Sequence, residues 1–125
     1  MKLSTLRLIT SNYKNSKDFI LEFFDSVTLL EEEKNFSVYK LADLNIELIK
    51  EDEKNPVSNG GTIVYFNVDK FEQTLQKAIS LGAKIYRGPI KVSQNKTIIT
   101  QILCPGDFVI GLEANYRFVS SCTKL

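Results

Sequence analysis

The sequence predicts an α+β protein built from two tandem copies of one strand–helix–three-strand module. Three observations carry this. Alternating strands and one-faced helices follow in the same order twice along the 125 residues. The most polar and turn-rich stretch, residues 51–61 (EDEKNPVSNGG), falls between the two runs. The opening and closing strands of the runs also align. Thr5–Thr10 lies over residues 63–68, and Asp43-Leu44-Asn45-Ile46-Glu47-Leu48 lies over Asp107-Phe108-Val109-Ile110-Gly111-Leu112. The expected organisation is a single domain over 1–125, with module one at about 3–52, a linker at about 53–61, module two at about 62–115 and a tail at 116–125.

Each element has a local cause. Residues 3–10 alternate and are rich in Leu, Ile and Thr, as a strand requires. Asn15 or Ser16 opens a helix, with Asn15 and Asp18 in a capping arrangement. Its apolar stripe is Phe19, Ile20, Phe23, Phe24 and Val27. Residues 28–34, with three consecutive glutamates, read either as a short exposed strand or as a loop. Phe36–Leu41 and Leu44–Lys50 alternate around Ala42-Asp43 and form a hairpin. After the linker, residues 62–68 form a strand, and Asp69 with Glu72 makes a capping box for a helix that Gly82 stops. Residues 84–86 are a short strand ended by Arg87-Gly88-Pro89. Thr97–Cys104, the turn Pro105-Gly106-Asp107 and a strand over 108–113 complete the module. The tail reads as an edge piece or a frayed end.

Composition excludes much chemistry. There is no histidine, which removes Ser-His-Asp and Cys-His catalysis and histidine-ligated metals. Two cysteines, Cys104 and Cys122, are too few for a disulfide framework or a zinc site, and are expected as free thiols. Sixteen Lys and Arg against fifteen Asp and Glu leave a net charge of +1, so no nucleic-acid partner and no membrane partner is expected. Arg7 interrupts the N-terminal apolar run, so no signal peptide is read there, and no stretch nears the roughly 20 apolar residues that span a bilayer. The expected location is cytoplasmic.

Several segments carry a family pattern. These are Asn12…Ser16…Phe19 at the first helix and Gly61-Thr62-Ile63-Val64-Tyr65-Phe66-Asn67-Val68-Asp69 before the second. Gly82-Ala83-Lys84, Arg87-Gly88-Pro89 and Cys104-Pro105-Gly106-Asp107-Phe108-Val109-Ile110-Gly111-Leu112 follow in order. Over about residues 3–115 the chain resembles the glyoxalase / bleomycin-resistance / extradiol dioxygenase proteins, the vicinal oxygen chelate superfamily. The resemblance implies paired βαβββ modules forming an open, barrel-like mixed sheet with helices outside, and a homodimer. It also implies a divalent metal held from the first and last strands of the modules. Those positions here are Thr5, Glu47, Ile63 and Gly111, of which only Glu47 is an ordinary ligand. One carboxylate does not hold a divalent ion, so a metal-free member with no cofactor is expected.

If these positions face a cavity, alternation adds their neighbours two residues away. The candidate ligand-binding residues are Arg7, Glu47, Ile63, Tyr65, Asn67, Val109, Gly111 and Glu113, with Ile9, Asn45 and Ile49 on the same faces. Each has a plainer reading. Arg7 and Glu47 form an ion pair or meet a ligand. Tyr65 packs or offers a stacking surface. Gly111 relieves crowding or opens space. Three functions follow: a binding protein sequestering an aromatic or amphipathic compound, a regulatory or interaction module with a closed cavity, and a metal-free enzyme. The enzyme would use Glu47 or Glu113 as base, with Arg7 or Tyr65 holding an oxyanion.

Overall fold

The computed structural model describes residues 1–57, 61–92 and 96–115. The elements run β1 (Thr5–Thr10), α1 (Tyr13–Phe23), β2 (Thr28–Glu33), β3 (Phe36–Leu41), β4 (Leu44–Lys50), β5 (Tyr65–Asn67), α2 (Phe71–Ser80), β6 (Lys84–Val92), β7 (Thr97–Cys104) and β8 (Phe108–Asn115). This is βαβββ written twice. The chain divides into two compact units, Met1–Asn59 with Pro105–Phe108, and Gly60–Cys104 with Val109–Leu125.

Each unit holds one open, four-stranded mixed sheet, in the orders β1-β4-β3-β2 and β5-β8-β7-β6. The first and last strands of each module run parallel, and the hairpins run antiparallel. The register repeats as well as the order. Arg7 faces Glu47 and Leu8 faces Leu48, while Tyr65 faces Gly111 and Phe66 faces Leu112. These are the residues that the two halves of the sequence place over one another.

In the first unit the even residues of β1 and β4 lie beneath α1, where Leu8, Thr10, Ile46 and Leu48 are buried. Phe19, Ile20 and Phe23 cover them, with Phe19 stacked on Phe23 at 5.0 Å and edge-on to Phe108 at 6.5 Å. In the second unit Phe71, Leu75 and Ala78 of α2 are buried with Ile98, Ile102, Ile110 and Leu112. Burying a side chain of this size stabilises by about 1.5–3 kcal/mol, so the alternation of the strands decides which sheet face each helix covers.

Both helix starts differ from the sequence expectation. α1 begins a turn early, because Asn12 is its cap and accepts from the Asn15 N–H at 3.1 Å. Asn15 therefore sits inside the first turn, and Asp18 pairs with Lys14 at 2.9 Å. α2 is preceded by Lys70, which makes no side-chain cap. Asp69 lies one residue outside the cap, so Glu72 falls at the second rather than the third helical position and no capping box forms, although Glu72 still suits the positive end of the helix. The end of α2 is as expected. Gly82, at φ +103°, gives its N–H to Ile79, and Ala83 gives its own to Ala78, a Schellman closure.

Two strands also differ, and one open reading closes on the exposed strand. Residues 28–34, open between strand and loop, contain β2, an edge strand exposed along its whole length. Glu32 ties it to α1, with its carboxylate accepting from Lys17 at 2.6–2.8 Å and from the Tyr13 hydroxyl at 2.9 Å. The Lys17 contact holds the Glu32 carboxyl below its usual range and raises the Lys17 ammonium, while burial first and Glu32 next push Tyr13 up to about 12. β5 is only Tyr65–Asn67, although backbone bonds from Gly111 to Val64 and from Val68 to Glu113 extend its pairing by a residue each way.

β6 does not end at Arg87-Gly88-Pro89 but runs through it to Val92. The register slips twice, between Ile85 and Arg87 and between Arg87 and Ile90. A proline is tolerated there because β6 is an edge and the missing N–H breaks no ladder. Gly88, at φ +92°, supplies the bend, and the Thr100 hydroxyl takes up the Arg87 carbonyl at 2.9 Å. The tail 116–125, with Cys122, lies outside the described residues. Cys104 is a buried free thiol, and burial raises its pKa so that little thiolate forms near neutral pH. Among the described residues no helix is long and apolar enough to cross a membrane.

Candidate functional site

A sheet covered by a helix on one side offers its other side for binding. In the first unit that face carries Thr5, Arg7 and Ile9 of β1, Asn45, Glu47 and Ile49 of β4, and Phe36, Val38 and Lys40 of β3. The register sets them in rows: Thr5, Asn45 and Lys40; then Arg7, Glu47 and Val38; then Ile9, Ile49 and Phe36. One end of the face is apolar and the other polar.

The middle row holds the expected charges. Arg7 Nε donates to Glu47 Oε1 at 2.9 Å, with side-chain exposures of 45% and 25%. A pair this open to water stabilises the fold by no more than about 1 kcal/mol. The ion-pair reading of these residues is therefore the geometry observed. One residue pair along the strands, Asn45 Oδ1 is buried and has no donor among the described residues. A buried acceptor left without a donor costs about 1–3 kcal/mol, which an incoming N–H or O–H would relieve.

In the second unit the same strand positions are filled differently. Gly111 is buried, and an added Cβ there would overlap the ring of Tyr65. The ring lies across the glycine, and its hydroxyl accepts from Gln101 Nε2 at 2.9 Å. The crowding reading of Gly111 is thus the one the geometry supports, and the space it leaves belongs to Tyr65. Asn67 faces Glu113 on the same side, and Val109 lies two residues before Gly111 along that face. Ile63 precedes β5 and is half-buried. The eight predicted residues thus fall into one pair in the first unit and a set of six in the second.

A hollow lies beside this clamp. The slipped register of β6 against β7 leaves a pocket of about 200 Å³ lined by Arg87, Ile90, Ile99, Thr100 and Gln101. Gln101 belongs to both features: its amide nitrogen holds Tyr65, and its side chain walls the pocket. Sequence reading missed all five lining residues. The alternation of β7 was a usable signal, since Ile98, Thr100 and Ile102 are buried and Ile99 and Gln101 are not. What hid the pocket was the ending of β6 at a Gly-Pro that it in fact passes through.

The donor set does not fit a divalent metal. Glu47 is engaged by a guanidinium, the matching position Gly111 has no side chain, and Thr5 offers one neutral hydroxyl. Among the described residues no three His, Cys, Asp or Glu side chains cluster as a metal site requires.

Comparison with known proteins agrees with the fold. No family model and no curated protein matches the chain in sequence. Among solved structures it is similar to a glyoxalase/bleomycin resistance protein/dioxygenase family enzyme from Burkholderia phytofirmans, at 16% identity and a TM-score of 0.76, covering 91% of this chain and 98% of that one. It is similar to the fosfomycin resistance protein FosX from Listeria monocytogenes, at 14% identity and a TM-score of 0.75, covering 92% and 93%. It is also similar to TioX from Micromonospora, at 12% identity and a TM-score of 0.68, covering 92% and 99%. At these identities the likeness is one of fold. The chain has the architecture of the glyoxalase / bleomycin-resistance / dioxygenase proteins, as the sequence resemblance implies.

Proposed function

We propose that this chain is a metal-independent small-molecule-binding protein of the glyoxalase/bleomycin-resistance type, which sequesters an aromatic or amphipathic compound such as an antibiotic. The observation that carries the reading is the second unit's open face. There an aromatic ring, held flat by Gly111 and Gln101, adjoins a hollow walled by two isoleucines and a few directed polar groups. Apolar walls with a small number of fixed polar points are what such a ligand selects. The unsuitable donor set supports metal independence, and similar structures include proteins named for bleomycin and fosfomycin resistance. A hollow of about 200 Å³ takes one ring of such a compound. That is below the roughly 300–1,000 Å³ that encloses a drug-sized molecule, so the rest of a larger ligand lies on the sheet face.

A thermal-shift panel tests this reading with Mg²⁺, Mn²⁺ and Zn²⁺ on one side and planar aromatic antibiotics on the other. A ligand at about a hundred times its Kd adds about 2.7 kcal/mol, a rise of several degrees for a domain of this size. A rise with an organic compound and none with the metals is the expected result. A rise with a metal would overturn metal independence.

The same reading makes the protein a cytoplasmic homodimer. Among the described residues the sheet of each unit is open at both edges, which supports association, because unpaired backbone donors and acceptors favour cover. Light scattering on the purified chain is expected to report a mass of two chains. A mass of one chain at tens of micromolar would remove the dimer from the proposal.

A further inference from the structure

The pocket between β6 and β7 carries more than a general affinity for apolar rings. Its lining includes one formal charge, the guanidinium of Arg87. The Arg87 backbone is fixed, with its carbonyl bound by Thr100 at 2.9 Å and a register slip on each side. Its side chain is exposed, and among the described residues it meets no carboxylate within ion-pair distance. β6 and β7 contain Lys84, Arg87 and Lys91 and no acidic residue at all. Neither of the two strands that form the pocket therefore opposes an anion.

The other walls narrow the ligand. Ile90 and Ile99 face each other across the two strands and offer apolar surface. Gln101 is turned by its bond to Tyr65, so its position is set before any ligand arrives. A planar guanidinium fork matches a carboxylate in a bidentate pair, where an ammonium would act only as a point charge. A single cation in the lining suits a monoanion rather than a phosphate dianion. The volume admits one ring with its acid group.

We propose that this pocket binds a small aromatic monocarboxylate, with Arg87 paired to the carboxylate and Ile90 and Ile99 against the ring. The proposal rests on the small-molecule-binding reading above and adds to it a ligand class and a residue that selects it.

The test is an amide NMR titration at pH 7 with phenylacetate and its neutral counterpart phenylacetamide, on the wild type and on Arg87→Gln. Arg87 is exposed, so the variant is expected to keep the wild-type spectrum away from the pocket. In the wild type, phenylacetate is expected to shift residues of β6 and β7 around the pocket, and to bind about tenfold tighter than the amide, the size of one charge-assisted pair. In Arg87→Gln that ratio is expected to fall to about one. Equal binding of acid and amide by the wild type would overturn the carboxylate and leave the small-molecule reading standing. So would a preference for the acid that survives in Arg87→Gln. Shifts elsewhere on the sheet, with none around this pocket, would overturn the site alone. No response to either probe, together with a silent thermal-shift panel, would overturn both.

Discussion

Replacing Gly106 with alanine is expected to lower the folding free energy by about 3 kcal/mol. Two costs add. Gly106 sits at φ +97°, where an L side chain is strained by about 1–2 kcal/mol. Its added Cβ would also overlap Ser16 Oγ and Thr10 Oγ1. Neither hydroxyl has room to retreat, since both residues are 0% exposed. The Ser16 hydroxyl donates to the Pro105 carbonyl at 2.7 Å, so the 2.5 Å contact between the hydroxyls is a bond from Thr10 to Ser16. The Gly106 carbonyl in turn accepts from the Ser11 N–H at 2.9 Å. Pushing the turn away breaks this set and strands buried polar groups, each costing about 1–3 kcal/mol. Urea unfolding with an unchanged m-value measures the loss. Gly61→Ala is the control, because Gly61 has nearly the same φ, +96°, with nothing within 4 Å of the added carbon. It is expected to cost only the backbone share, about 1 kcal/mol. Equal losses for the two would show that the collision with Thr10 and Ser16 contributes nothing.

Gly111→Ala is expected to cost about 2 kcal/mol for a different reason. Gly111 sits within β8 at no left-handed φ, so alanine alone would favour the strand by about 0.5–1 kcal/mol. The loss comes from Tyr65, whose ring occupies the place of the added carbon. Evicting the ring breaks its bond to Gln101 and exposes the surface it covers. Tyr65→Ala removes the obstacle, so Gly111→Ala in that background is expected to be neutral or slightly stabilising. A double-mutant cycle by chemical denaturation therefore returns a coupling of about 2 kcal/mol. Simple additivity of the two changes would refute the arrangement of ring over glycine. Both single variants are also expected to weaken any ligand that stacks on Tyr65.

The element order was legible in the sequence wherever burial imposed a period. β3, β4, β7 and β8 have one buried face, and their alternation shows it. β2 is exposed on both faces, so no alternation was selected and its glutamates read as strand or loop. β6 escaped because Gly88-Pro89 is a stop signal in most contexts and is harmless at an edge with a slipped register. The pair Arg7 and Glu47 was legible because alternation puts both on the open face and the module repeat aligns their strands. The lock of Tyr65 on Gly111 needed the register itself, since nothing in the residue types says that these two stand opposite. Arg87 and Gln101 needed two successive slips in that register, which a one-dimensional pattern does not encode. The cap of α1 was read three residues late and that of α2 one residue early. Capping strings recur at neighbouring offsets, and packing of the apolar stripe chooses among them.

The first unit also takes in Pro105–Phe108 from the far end of the chain. Its bond from the Ser11 hydroxyl to Asp107 closes a loop of 96 residues, and that from the Ser16 hydroxyl to the Pro105 carbonyl a loop of 89. The N-terminal half is therefore not a complete folding unit, although a polar linker marks its end. During synthesis β1 and α1 precede β7, yet the carbonyl that takes the Ser16 hydroxyl is made only after β7. A chain cut at the linker would leave the buried Ser16 hydroxyl without this acceptor. Completion of the first unit thus waits on residues 105–108, and contacts of such long sequence separation are the kind that slow folding.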